Sequence, residues 1–280
     1  MSVCLTDSLA GNPLVLCGAM SSFDDYFTAH QDLFAHYNDL VGRLSDEQMA
    51  VQSLCPDWDV RGVINHAIGA EYWMTGWEPS DTSPPPFERF VEFDARTRGA
   101  SRSEFAQIVA ETTATRLDDL RAMGPEVLDR PSFSPAGVST YGRFLQVRVF
   151  DLWVHARDIA IPLGETLDDS GFPAETALQE VDDSIGYIVG KKIGLPDPMS
   201  IAFRIRGAVD RDILVRVDGR AGRVAELADP DVEVFSDVGT FVMLASGRID
   251  PQEQIDANKI SWSGDPHWGE TAARNLAYTQ

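Results

Sequence analysis

The stretch Arg148-Val149-Phe150-Asp151-Leu152-Trp153-Val154-His155-Ala156-Arg157-Asp158-Ile159-Ala160 decides how this chain is read. It belongs to a run from Phe144 to Ile161 in which Leu145, Val147, Val149, Phe150, Leu152, Trp153, Val154, Ala156, Ile159 and Ala160 leave little room for polar residues. A helix that is apolar nearly all round is a buried helix. Arg148, Asp151, His155 and Asp158 interrupt it, and at about 100° per residue they fall within an arc of roughly 80°. Arg157 lies opposite. Each ionisable group on a core helix costs several kcal/mol unless something compensates it: another such group, water or a metal.

Upstream of this helix, three more helical patterns can be read. From Ser22 to Leu44, Phe23, Phe27, Leu33, Phe34, Tyr37, Leu40 and Val41 recur at helical spacing, with Ser22, Asp24 and Asp25 suited to the start. Asp57 or Asp59 can cap a second helix from about Val60 to Trp77, beyond which Pro84-Pro85-Pro86 demands a loop. A third pattern covers Ser103 to Met123 and stops at Gly124-Pro125, and a Pro- and Ser-rich link from Pro131 to Thr140 leads to the fourth helix, about Tyr141 to Ile161. Four such helices read as a four-helix bundle over residues 21–165.

Residues 173–280 follow different rules. After a helical segment from Pro173 to Ile193, Ile201, Phe203 and Ile205 alternate with Ala202, Arg204 and Arg206, the period of a half-buried strand. Ile213 to Val217 continues the pattern, and Asp218-Gly219 is a turn from which Arg223 to Leu227 can pair back. A helix from Val238 to Ala245, a strand near Lys259 to Trp262 and a last helix from Pro266 to Tyr278 complete a small α+β domain. The fold class is therefore α followed by α+β. No internal repeat, P-loop or G-x-G-x-x-G is present, so no motif supports a nucleotide cofactor.

The 280 residues, 44% hydrophobic and 24% charged, have the composition of an ordinary globular protein. With 23 Lys and Arg against 44 Asp and Glu the net charge is −21, which repels phosphate backbones and anionic headgroups. Nucleic acid and membrane are not expected partners. No apolar run approaches the ~20 residues of a membrane span. Residues 1–20 contain no Lys or Arg, as a secretory signal would, and read as a loosely held tail with Met20 as a candidate native start. Cys4, Cys17 and Cys55 form no C-x-x-C, so neither a disulfide framework nor a structural zinc site is expected, and a reducing cytoplasm is the natural home.

Asp151 and His155 are one helical turn apart, so a carboxylate oxygen and an imidazole nitrogen can converge on one cation. A salt-bridged core pair satisfies the same spacing. His66 changes the balance, because it shares a face with Val63, Ala70 and Trp73 and points inward, with Gly62 and Gly69 leaving room beside it. Three such residues on two core helices make the mixed N and O set of a zinc or similar divalent site with open positions.

Two motifs carry a resemblance: Cys55-Pro56-Asp57-Trp58-Asp59-Val60-Arg61 followed by His66, and the helix R-V-F-D-L-W-V-H-A-R-D-I-A from Arg148. They resemble the signatures of mycothiol-dependent maleylpyruvate isomerase-like proteins of the DinB superfamily. Ala245-Ser246-Gly247-Arg248-Ile249-Asp250-Pro251 and Ser263-Gly264-Asp265 resemble turns of the sterol-carrier-protein-like domain that follows the bundle in that family. The resemblance implies a metal triad on His66, Asp151 and His155, with Asp151 one methylene shorter than the family's usual Glu. It also implies mycothiol as thiol cosubstrate and a small electrophile or unsaturated acid as substrate. Activation of an external thiol by the metal would serve cis–trans isomerisation or S-transfer alike, without a protein nucleophile. The reading from a different class is a non-catalytic small-molecule or lipid binder with a structural metal.

The remaining polar residues keep two readings each. Arg148 and Asp158 can orient a ligand from a second layer or simply bridge one another's charges. Arg248 and Arg274 can meet an acidic substrate at the domain junction or be surface arginines. Cys55 can be an activated thiol before a helix or a small packing residue. His30, His36 and His267 are read as structural or exposed, and Trp58, Trp73 and Trp77 as core or pocket wall.

Overall fold

The computed structural model describes residues 21–134 and 137–279. The tail, with Cys4, Cys17 and the candidate start at Met20, lies outside the described residues. Each long helix of the first half begins at a side-chain cap. Ser22 caps α1 (Phe23–Arg43) in a capping box with Asp25. The short α2 (Asp46–Met49) follows, and Asp59 caps α3 (Val60–Met74) by accepting from Gly62 N. Then come α4 (Arg89–Thr97) and α5 (Arg102–Met123), the latter boxed by Ser101 and Glu104. A hairpin of β1 (Pro131–Ser134) and β2 (Gly137–Thr140) leads into α6 (Tyr141–Ala160). The four long helices form a ring: α1 and α3 each pack against both α5 and α6.

The α+β half starts with α7 (Gly171–Asp183), α8 (Ile185–Tyr187) and a π-helical turn over Ile188–Ile193. The expected single helix is broken because Gly186 and Gly190 lie flat on the chain at Ala221; a Cβ on Gly186 would sit 3.1 Å from its carbonyl oxygen. A five-stranded sheet follows: β3 (Ser200–Ile205), β4 (Arg211–Asp218), β5 (Arg220–Arg223), β6 (Val232–Ser236) and β7 (Ile260–Gly264), in the order β5-β4-β3-β6-β7. The strand that pairs back from the Asp218-Gly219 turn is Arg220–Arg223 rather than Arg223 to Leu227, since Gly219, at φ 67°, turns the chain so tightly that Asp218 already faces Arg220. Strand β6 was not anticipated, yet it runs parallel to β3 at the centre of the sheet with Val232 and Val234 buried. Five residues between Asp229-Pro230-Asp231 and Asp237 give too short an alternation to stand out.

Three more helices complete the chain: α9 (Val238–Ala245), α10 (Pro251–Asp256) and α11 (Pro266–Arg274). The last helix ends four residues earlier than Tyr278, because the backbone N–H of Tyr278 donates to Ala245 O at 3.0 Å and pulls the segment across the end of α9. Two hydrophobic cores result, one inside the bundle and one under the sheet, and α6 serves both. Phe144, Leu145, Val149, Leu152, Ala156 and Ile159 fill the first, whereas Trp153 and Val154 belong to the second. That double duty is why α6 is apolar nearly all round. Among the described residues no helix is long and apolar enough to cross a membrane.

Helix α11 sits on β7 through Gly269, where a Cβ would fall 2.1 Å from Trp262 Cδ1. Gly269→Ala is therefore expected to destabilise the protein by about 1–3 kcal/mol through forced repacking. Urea denaturation checks it; an unchanged midpoint would show that Trp262 moves aside freely.

Candidate metal centre

The loop before α3 is held by its own polar groups. Ser53 Oγ donates to Trp58 O at 2.6 Å, and Gln52 Nε2 donates to Cys55 O and Trp58 O, both at 2.8 Å. Leu54 N ties the loop to the far end of α6 by donating to Asp158 O at 3.1 Å. Trp58 is thereby laid over His66, their rings stacked with centroids 4.5 Å apart. The space beside His66 is not empty, as Gly62 and Gly69 had suggested. A Cβ on Gly62 would touch Trp58, and one on Gly69 would meet Phe90 and Phe93 at 3.1 and 3.0 Å. The glycines admit aromatic walls, and α4, unforeseen in the sequence, supplies one of them.

His66, from α3, and Asp151 and His155, from α6, come together with one ligand atom of each within 4.8 Å of the others. His155 Nε2 lies 3.6 Å from Asp151 Oδ1. Two ligand atoms on a tetrahedral zinc are about 3.3 Å apart, given zinc bonds of about 2.0–2.1 Å. The spacing and the donor chemistry both fit a divalent ion after a small closure. A second group, Cys55, His155 and Asp158, is equally compact. Its His155 Nδ1 to Asp158 Oδ2 distance of 2.8 Å is that of a hydrogen bond, with no room for a cation between them.

That second group supports the first. Asp158, fully buried, accepts the His155 Nδ1 proton and so leaves Nε2 facing Asp151. The same carboxylate oxygen accepts from Cys55 Sγ at 3.2 Å and from Arg248 Nε, in the second domain, at 3.2 Å. Asp151 divides its oxygens: Oδ2 accepts from Arg148 Nη1 at 3.0 Å, and Oδ1 faces His155. One oxygen of Asp151 thus holds a salt bridge while the other is turned towards His155. Arg157, on the opposite face, stacks on Trp153 and pairs with Asp169.

A cavity of about 330 Å³ opens beside these three side chains, lined by Trp58, His66, Asp151 and His155 from the bundle and by Arg248 and Thr279 from the second domain. Arg274 does not line it. Its Nε pairs with Glu270 at 2.9 Å and its Nη2 donates to Gln252, beside a neighbouring cavity that shares only Pro56 and Arg248 with the first. His267 is exposed, His36 half-buried, and His30 wholly buried with Nδ1 donating to Tyr26 O at 2.7 Å. Cys55 is buried against Asp158, part of the site's support as well as its packing. Thr279 has no signal in the sequence: the helix expected to reach Tyr278 ends at Arg274, and the segment after it crosses the end of α9. Glu71, also missed, reaches Arg148 from below; a carboxylate between Ala70 and Tyr72 on a core helix was a signal available in the sequence.

Residues 30–160 match the family model of the mycothiol maleylpyruvate isomerase N-terminal domain. Over that stretch the resemblance holds. The chain is also similar to the crystal structures of the mycothiol-dependent maleylpyruvate isomerase and of a histidine-to-alanine mutant of it. In both cases the TM-score is 0.53 and the identity 16%, over 87% of this chain and 96% of the other. At that identity the likeness shows a shared two-part fold. No curated protein matches the sequence.

The two histidines titrate apart. Burial lowers the pKa of His66 to about 4, with the positive charge of His155 and Arg148 acting the same way against Asp151. Burial also works against protonation of His155, but Asp151 and the hydrogen bond to Asp158 outweigh it and raise its pKa to about 10. In the metal-free protein, His66 is therefore a ready ligand at neutral pH and His155 carries a proton. Stability from His155 is full below its unfolded value of 6.5 and is lost as pH rises through about 10. That from His66 is lost as pH falls from 6.5 towards 4. A cation must displace the His155 proton, so zinc affinity is expected to rise by about tenfold per pH unit between pH 7 and 9. Titration calorimetry in buffers of different ionisation enthalpy should count about one proton released per zinc at pH 8. A pH-independent affinity would remove His155 from the ligand set.

Proposed function

We infer that this protein is a metal- and mycothiol-dependent enzyme that uses a metal-activated external thiol, for cis–trans isomerisation or S-transfer on a small electrophilic or unsaturated acid. The observation that carries this reading is the open face of the triad: His66, Asp151 and His155 border a cavity rather than being sealed on all sides. The family match supports mycothiol as the thiol. Zinc suits the mixed imidazole and carboxylate donors. When bound, such an ion supplies a Lewis acid that lowers the pKa of an incoming thiol.

The chain's own residues supply orientation and charge. Asp158 keeps the proton of His155 at Nδ1, and Trp58 shields one face of His66. Arg248 is anchored through Nε to Asp158 and lines the cavity, where its guanidinium suits a substrate carboxylate. Cys55 already donates to Asp158 and is not needed as a nucleophile. The partners are small molecules rather than nucleic acid or membrane, on the grounds of charge, and the compartment is the reducing cytoplasm, on the grounds of three cysteines without a C-x-x-C spacing.

Thiol-dependent turnover of maleylpyruvate and of simple electrophiles, with metal analysis of the same preparation, tests the proposal. Cys55→Ser should keep turnover within about threefold. Asp151→Asn should weaken zinc binding by tenfold or more, as expected when a ligand loses its charge, whereas Asp151→Glu should hold or improve it. If Asp151→Asn binds zinc as tightly as the wild type, the carboxylate serves only Arg148. The non-catalytic reading gains if the wild type holds zinc tightly yet no thiol changes the metal's spectrum in a cobalt-substituted sample.

A further inference from the structure

Beneath the ligand set, α3 and α6 are joined by a buried polar brace. Glu71, on α3 five residues beyond His66, is fully buried and gives its two oxygens to two different arginines. Oε1 accepts from Arg148 Nε and Nη2, both at 2.9 Å, and Oε2 accepts from Arg116 Nε at 3.1 Å. Arg116, from α5, is itself fully buried and donates onward to the Tyr141 hydroxyl. Arg148, from α6, reaches back across to α3: Nη2 lies 3.4 Å from the Ala67 carbonyl, one residue after His66, and Nη1 holds Asp151 Oδ2.

We propose that Glu71 is a positioning residue for Asp151, acting through Arg148 to fix the distance between the helix that carries His66 and the helix that carries Asp151 and His155. The proposal rests on the reading of those three residues as the ligand set. Two features make the brace more than core packing. Arg148 contacts both ligand helices within three residues of a ligand on each, so its placement sets the gap a cation must bridge. Asp151 is also a short ligand, and its reach depends on that gap more than a longer side chain's would. Burial pushes the Glu71 carboxyl up, but Arg148 and Arg116 outweigh it and hold it below the ordinary range, so the brace stays ionic at neutral pH.

A double-mutant cycle on metal affinity tests this, using Glu71→Gln, Asp151→Asn and the pair, with cobalt and zinc as probes. Glu71→Gln is expected to weaken cobalt binding about 10–100-fold, as removal of an outer support does. In the Asp151→Asn background it should change affinity by less than about threefold, because the support then has no charged ligand to place. The visible cobalt spectrum of Glu71→Gln should shift towards that of Asp151→Asn, which loss of stability alone would not produce. If Glu71→Gln does not fold, the Glu71→Gln, Arg116→Met pair removes one charge of each sign and serves in its place. Equal losses in both backgrounds, or wild-type affinity in Glu71→Gln, would overturn the proposal while leaving the ligand set standing. Absence of metal binding in the wild type would overturn both.

Discussion

One oxygen of Asp158 accepts from three donors that reach it from three parts of the chain: the His155 imidazole on its own helix, the Cys55 thiol in the loop before α3, and the Arg248 guanidinium of the second domain. A fully buried carboxylate without such partners would cost several kcal/mol, so the fold is obliged to keep all three in place. The tautomer of His155, the seat of the loop that carries Trp58 and the position of Arg248 all meet at that one carboxylate. Arg248, held there, lines the cavity beside His66, Asp151 and His155.

Helix α6 can meet this constraint because it lies between two cores. Its apolar residues divide into a set that closes the bundle and a pair, Trp153 and Val154, that closes the sheet domain. The polar stripe follows the seam. Ionic groups so deep in a protein are poor sources of stability, and their value lies in geometry: Asp151 is turned one way by Arg148, and His155 is turned the other way by Asp158.

Much of this was legible in the sequence where the signal was local. Ser22 with Asp25 and the choice of Asp59 marked the starts of two helices, and the i, i+4 spacing of Asp151 and His155 survives folding unchanged. His66 was legible because it shares a face with Val63, Ala70 and Trp73 and so joins two ligand-type residues of another core helix. What escaped was tertiary. Nothing in the spacing of Glu71 and Arg116 shows that they meet, since they lie 45 residues apart on different helices. The interior strand β6 owes its place to its neighbours β3 and β7 more than to its own five residues. Cys55 looked like packing because its partners, Asp158 and His155, arrive from about a hundred residues away.

The account turns on which atoms hold the metal, and X-ray absorption at the zinc edge of the loaded protein reads them directly. Without added thiol, the nearest shell should contain only nitrogen and oxygen at about 2.0–2.1 Å, with the outer-shell pattern of two imidazoles. Addition of the thiol cosubstrate should introduce one sulfur at about 2.3 Å. A sulfur scatterer present before any thiol is added, or a shell of oxygens without imidazole, would contradict the assignment of His66, Asp151 and His155.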